Sequence, residues 1–256
     1  MNRIVSFIYG TLCYLLFLAT FLYAVAFIGN IGLSKTLDGE ATAPFGQALL
    51  VNTLLLALFA VQHSAMARPA FKRWWTHIVP KPVERSTYVL FSSLALLLLF
   101  HAWQPMGGAV WEVRHPVLRG TLYGLYAGGW ALILVATFLI NHFDLFGMRQ
   151  VWLHLKGLPY QPLHFATLGL YRYVRHPLYV GWLLTFWAAP TMTAAHLLFS
   201  VATTAYILIA IKWEERDLVE AHGQAYARYR EEVPMLIPSV RPYGTDHLGT
   251  DLSRVA

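Results

Sequence analysis

Apolar residues in this chain fall in blocks long enough to cross a bilayer, and that leaves few folds open. The hydrocarbon core of a membrane takes roughly 20 helical residues to cross, and only helices and closed barrels satisfy their backbone inside lipid. Blocks of that length run from about Ile4 to Ile28, Gln47 to Met66, Thr87 to Trp103 and Val117 to Ile140, with a longer one from Pro177 to Lys212. Charged residues make up 12% of the 256 positions, about half the share of a soluble domain. A separate soluble domain therefore has no room. The expected fold is all-α: a polytopic helical membrane protein of four spans plus a C-terminal helical hairpin and a cytoplasmic amphipathic helix. One domain is expected over residues 1–240, with 241–256 as a flexible tail, and no internal repeat is evident.

The formal charge of +6 does not point to nucleic acid, because the basic residues sit in short loops between spans, where they set topology. Loop 67–86 holds Arg68, Lys72, Arg73, Lys81 and Arg85 against Glu84. The expected cytoplasmic segments are this loop, loop 141–176 and both termini; the linker Gly29–Gly46 and the loop Gln104–Pro116 face outward. Ala24-Val25-Ala26 looks like a cleavage site, but the apolar run around it exceeds a signal-peptide core, so it is read as an uncleaved span. As one helix, Pro177–Lys212 would be roughly 50 Å long. It must break, and Pro190-Thr191 marks the place, giving arms of about 177–189 and 192–213 of which the first is short for a full crossing. Both ends of that hairpin then lie on the cytoplasmic side. Gly124, Gly128 and Gly129 predict close packing of span four on another helix. Beyond Glu215, the spacing of Leu218, Ala221, Ala225, Tyr229 and Val233 predicts the amphipathic helix, with Pro234–Pro238 tucked beneath it.

Those two hairpin ends carry the most distinctive residues: Arg175-His176-Pro177-Leu178-Tyr179-Val180-Gly181 at the entry and Glu214-Glu215 at the exit. Pro177 suits the first turn of a helix, and His176 then sits at the cap, where backbone donors favour a carboxylate. Gly181 removes a side chain where a ligand or another helix comes close. A carboxylate at 214 or 215 can hold an ammonium and offset a sulfonium. Each half alone also reads as an ordinary capped helix end. The pair resembles the cofactor site of integral-membrane methyltransferases of the isoprenylcysteine carboxyl methyltransferase and phospholipid methyltransferase kind. That resemblance implies S-adenosyl-L-methionine (SAM) as methyl donor, held mainly within 170–240 by Arg175, His176, Pro177, Tyr179, Gly181, Glu214 and Glu215.

Further stretches, Gln62-His63-Ser64 through Pro69, Arg85-Ser86-Thr87-Tyr88 and Asn141 through Gln150, resemble the methanethiol S-methyltransferases, bacterial membrane enzymes that make dimethyl sulfide. A small thiol acceptor and a bacterial inner-membrane location are what this implies. Such a thiol is mostly protonated near neutral pH, so a group must take its proton. His142 and Asp144, at the end of span four, are the first candidates, and His63 is the third. Asn141, Gln150 and Arg172 are candidate substrate contacts; caps and interfacial hydrogen bonds are the alternative role for each. A lipid or prenyl-cysteine acceptor, or a non-catalytic membrane protein of the same fold, remain alternatives. The eleven histidines form no His-Glu-x-x-His pair, so no metal is expected, and the single cysteine, Cys13, excludes a disulfide framework.

Overall fold

The structure, a computed structural model, describes residues 2–163 and 165–244. Its elements are α1 (Arg3–Ile28), α2 (Phe45–Ala67), α3 (Pro69–Trp75), α4 (Lys81–Ala102), β1 (Ala109–Glu112), α5 (Pro116–Ile140), α6 (His142–Leu145), α7 (Met148–Lys156), a 3-10 turn (Gly169–Arg172), α8 (Pro177–Trp187), β2 (Thr191–Thr193), α9 (Ala194–His222) and α10 (Gln224–Glu232). Among the described residues, α1, α2, α4, α5 and α9 are long and apolar enough to cross a membrane, as the four predicted spans and the hairpin's second arm require. The protein is an integral-membrane helical bundle. Its buried core joins Phe27, Leu99, Trp103, Trp130, Ile133, Phe186 and Ile211, while Leu50, Leu54, Leu58 and Val61 on α2 stay exposed, as a lipid-facing surface does.

The hairpin breaks where expected, and the break is built into the fold. α8 is 11 residues long, about 16 Å, and an extended segment through Pro190 completes the arm. Backbone groups freed there need partners inside a membrane protein, and β1 supplies them. The two strands pair antiparallel with Ala109 opposite Thr193 and Trp111 opposite Met192. Val113 N–H donates to the Pro190 carbonyl at 2.8 Å, and the Trp111 indole donates to Ala189 at 3.1 Å.

Below the same strands, the linker's Asp38 closes the far end of the bundle. It accepts from Thr193 Oγ1 at 2.7 Å, from the Thr193 N–H at 3.1 Å, from His196 Nδ1 at 2.7 Å and from Asn30. His196 Nε2 also donates, to the Phe186 carbonyl at 3.0 Å. Both ring nitrogens therefore face acceptors.

Four expectations are corrected. Only Gly129 of the three span-four glycines packs closely: a Cβ there would lie 2.9 Å from the Gly181 carbonyl of α8, whereas one at Gly124 or Gly128 would meet nothing within 4 Å. Loop 67–86 is mostly helical, because α3 forms within it and α4 starts at Lys81 with Pro82 in its first turn; hydropathy registers only the lipid-embedded part of that helix. The amphipathic helix is split, because α9 continues to His222 and Gly223, at φ +58°, turns the chain into α10, a conformation a β-carbon disfavours. Finally, Tyr243 is buried and bonds through its N–H to the Arg172 carbonyl, so the chain packs past Arg241; the rest of the expected tail, 245–256, lies outside the described residues. Pro234–Pro238 does tuck beneath the hairpin: the Pro234 and Met235 carbonyls accept from Arg175 and His176 N–H.

The long loop after α5 folds back on the end where α1 begins. Val151 of α7 fits against Gly10 of α1, and Gly147, at φ +86°, lets the backbone touch Ser86 of α4. That end, which also carries Arg68, Arg85, Arg149 and Arg175, is the basic end of the bundle.

Candidate functional site

A cavity of about 340 Å³ runs inside the bundle between α1, α2, α4, α5, α8 and α9. Its polar side chains gather toward the basic end: His63 from α2, Arg85 and Tyr88 from α4, His142 from α6, Tyr179 from α8 and Tyr206 from α9. Two of the three candidate proton acceptors, far apart in sequence, thus share one wall.

His63 stacks on Phe59 and lies 2.8 Å from the Tyr88 hydroxyl through Nε2 and 3.1 Å from Ser92 Oγ through Nδ1. Both partners are hydroxyls that can give or take a proton, so the ring can change protonation state without losing its neighbours. His142 is held differently. Thr137 Oγ1 donates to the Leu134 carbonyl at 2.7 Å and so must accept from His142 Nδ1 at 3.0 Å, which leaves Nε2 to accept from Tyr14 at 2.8 Å. The ring also stacks on Phe138, with centroids 4.4 Å apart. Burial pushes its pKa below the ordinary histidine value, which keeps it neutral.

Asp144 is not among the cavity's lining residues. It forms an ion pair with Arg149 at 2.8 Å and accepts from Tyr160 at 3.3 Å. Asn141, at φ +142°, caps α6 by accepting from the Asp144 N–H at 3.0 Å. Gln150 Nε2 donates to the Asp144 carbonyl at 3.1 Å. These three therefore shape the turn that delivers His142, while Arg172 anchors the C-terminal segment through the Tyr243 carbonyl at 3.0 Å.

The hairpin motif assembles at the same end. Glu215 Oε1 takes Arg175 Nε at 2.7 Å and His176 Nε2 at 3.1 Å, and Arg175 Nη1 reaches on to the Arg230 and Val233 carbonyls. Pro177 opens α8 in its first turn. Gly181 faces Gly129 and Ile133, so its missing side chain serves helix contact. Glu214 accepts from the Tyr179 hydroxyl at 2.8 Å. Since Tyr179 also lines the cavity, this bond joins the motif to the interior. Near Glu214, the buried Tyr171 hydroxyl has no hydrogen-bond partner among the described residues, and burial with the Glu214 charge holds its phenol well above the ordinary range.

Tyr88, Tyr206, Tyr14 and Tyr171 were not among the residues sequence reasoning singled out for the site. For Tyr206 the signal exists: a hydroxyl in the middle of an apolar span needs a partner, and Ser64 Oγ lies 3.1 Å away.

Residues 124–225, from α5 into α10, match the phospholipid methyltransferase family. Over the whole chain the likeness is closer. The methanethiol S-methyltransferase of Crocosphaera subtropica is 55% identical, covering 94% of each chain. That of Mycobacterium tuberculosis is 52% identical over 93% of this chain and 98% of its own. Nurim of Rattus norvegicus is 34% identical over 67% of this chain and 68% of its own. No solved structure matches. With a methyltransferase motif joined to an internal cavity and near-full-length relatives at this identity, the chain belongs to the methanethiol S-methyltransferase family of integral-membrane methyltransferases.

Proposed function

We propose that this enzyme transfers the methyl group of SAM to methanethiol, giving dimethyl sulfide and S-adenosylhomocysteine, with its basic end in the cytoplasm. The observation that carries the reading is the Tyr179–Glu214 hydrogen bond, which couples the hairpin motif to the cavity. The donor set suits SAM. Glu215 already holds Arg175 and His176, whereas Glu214 accepts from Tyr179 and stays open toward a cationic group, and the buried Tyr171 hydroxyl near it has no partner among the described residues. A buried polar atom of that kind costs about 1–3 kcal/mol unless a ligand satisfies it. When bound, SAM supplies an electrophilic methyl on a sulfonium. Aromatic side chains around the cavity suit a cation, and a volume of about 340 Å³ is at the small end of ligand sites, which run from about 300 to 1,000 Å³.

The chain's own work is to hold the acceptor in line and remove its proton. Tyr88 and His63, hydrogen-bonded to each other, offer a path by which the thiol proton leaves as the new sulfur–carbon bond forms. His142, fixed between Thr137 and Tyr14, positions the wall, and Asp144 positions His142. This order departs from the sequence-based ranking, which puts His142 and Asp144 ahead of His63.

Purified enzyme given labelled SAM should yield volatile dimethyl sulfide from methanethiol and no labelled product from lipid extract. His63→Ala should lower kcat about 100-fold or more with SAM affinity unchanged, and raising the pH should partly rescue it by supplying thiolate. If His142→Ala or Asp144→Asn shows that signature instead, the proton acceptor lies there.

A further inference from the structure

The cavity is much longer than a one-carbon thiol needs. Its lining on α4 extends from Arg85 to Phe100 and on α1 from Phe17 to Ile28, about 22 and 16 Å along those axes. The polar lining, which includes Thr20, Ser92, Ser93 and Thr203, stops near the middle of the cavity. The other half is walled by Ala24, Ile28, Leu99, Phe100, Phe186 and Phe199. The donor motif meets the cavity at its basic half, through Tyr179 and Glu214, so the apolar half leaves room that a one-carbon acceptor does not use. A polar head zone continuous with an apolar tail zone matches one ligand shape: a thiol on a straight alkyl chain.

We infer that the enzyme also methylates straight-chain alkane thiols of up to about six carbons, seating the sulfur near Tyr88 and the chain in the apolar half. This rests on the reading of the site as a thiol methyltransferase. The step is balanced as for methanethiol. The alkyl thiol's proton leaves through Tyr88 to His63, a new sulfur–methyl bond forms, and the methyl–sulfonium bond breaks with its electron pair staying on the departing thioether. The length limit follows from the apolar half: Ala24 to Ile28 on α1 and Leu96 to Phe100 on α4 each rise about 6 Å, roughly the reach of an extended chain of about six carbons. Ala24, and Thr203 on α9, supply small side chains in the lining. Enlarging either shortens the tail zone.

The test compares methanethiol, butanethiol, hexanethiol and dodecanethiol, with thioether products quantified by gas chromatography. KM should fall by about fourfold for each added methylene up to about six carbons, and dodecanethiol should be rejected. Ala24→Leu and Thr203→Leu should each move the cut-off to shorter chains while keeping a cooperative thermal melt, which reports that the variants fold. Independently of turnover, hexyl methyl sulfide should raise the Tm of the wild type and not of Ala24→Leu. Methanethiol turnover with no gain for butanethiol would overturn the inference and leave the methanethiol assignment standing. Turnover of no thiol at all would overturn both.

Discussion

At each end of the α8–α9 hairpin a buried carboxylate meets a histidine, and the two clusters differ in how completely they are satisfied. At the far end Asp38 and His196 have side chains 5% and 1% exposed, and every acceptor and donor around them is matched within the chain. At the basic end Glu215 is closed by Arg175 and His176, but among the described residues its neighbour Glu214 accepts one hydrogen bond, from a residue that lines the cavity, and Tyr171 offers a hydroxyl with none. A saturated buried cluster fixes a fold. One left incomplete is where a ligand is expected to complete it.

The comparison breaks most visibly in stability. Asp38→Ala leaves the buried His196 and Thr193 donors, and that of Asn30, without their shared acceptor and should cost about 3–5 kcal/mol, read as a lowered Tm, with turnover per folded molecule little changed. Burial alone would raise the Asp38 pKa; the hydrogen bond and charge of His196, with bonds from Thr193 and Asn30, outweigh that and hold it below its ordinary value. A depressed carboxylate contributes stability that is fully present above its unfolded pKa of about 4 and is lost as pH falls through the lower folded value. Thermal melts should therefore be flat above about pH 5 and fall below pH 4. A decline beginning near pH 6 would assign the stabilisation to another group.

A smaller effect sharpens the basic end. Tyr171→Phe removes a hydroxyl that has no partner among the described residues, so Tm should stay the same or rise slightly, while SAM binding should weaken by about three- to tenfold, the worth of one hydrogen bond. Unchanged SAM affinity by calorimetry would take Tyr171 out of the site.

How much of this was legible in the sequence divides along the same line. The five long helices follow from the length of apolar runs, and the break at Pro190 from a run too long for one crossing and a residue that cannot continue a helix. The pairing of β1 with β2 has no local signal: Ala109–Glu112 carries no strand pattern strong enough to stand alone, and it pairs because Ala188–Thr193 needs partners. The hairpin motif was legible residue by residue, because proline, histidine and paired carboxylates at a span boundary are chemically distinctive. Its division of labour was not. Which carboxylate Arg175 takes, and whether Gly181 faces a ligand or α5, depends on helix rotation. That His63 and His142 line one cavity depends on how the helices pack, which no spacing encodes, and the ion pair that draws Asp144 to Arg149 depends on how the turn after α5 folds.

The central claim is that Glu214, and not the saturated far-end cluster, meets the methyl donor, and titration calorimetry with SAM on Glu214→Gln beside Asp38→Asn tests it most directly. Glu214→Gln should lose at least tenfold in affinity with Tm nearly unchanged, and Asp38→Asn should bind SAM as the wild type does while melting earlier. Wild-type affinity in Glu214→Gln, or equal loss in both variants, would contradict the account.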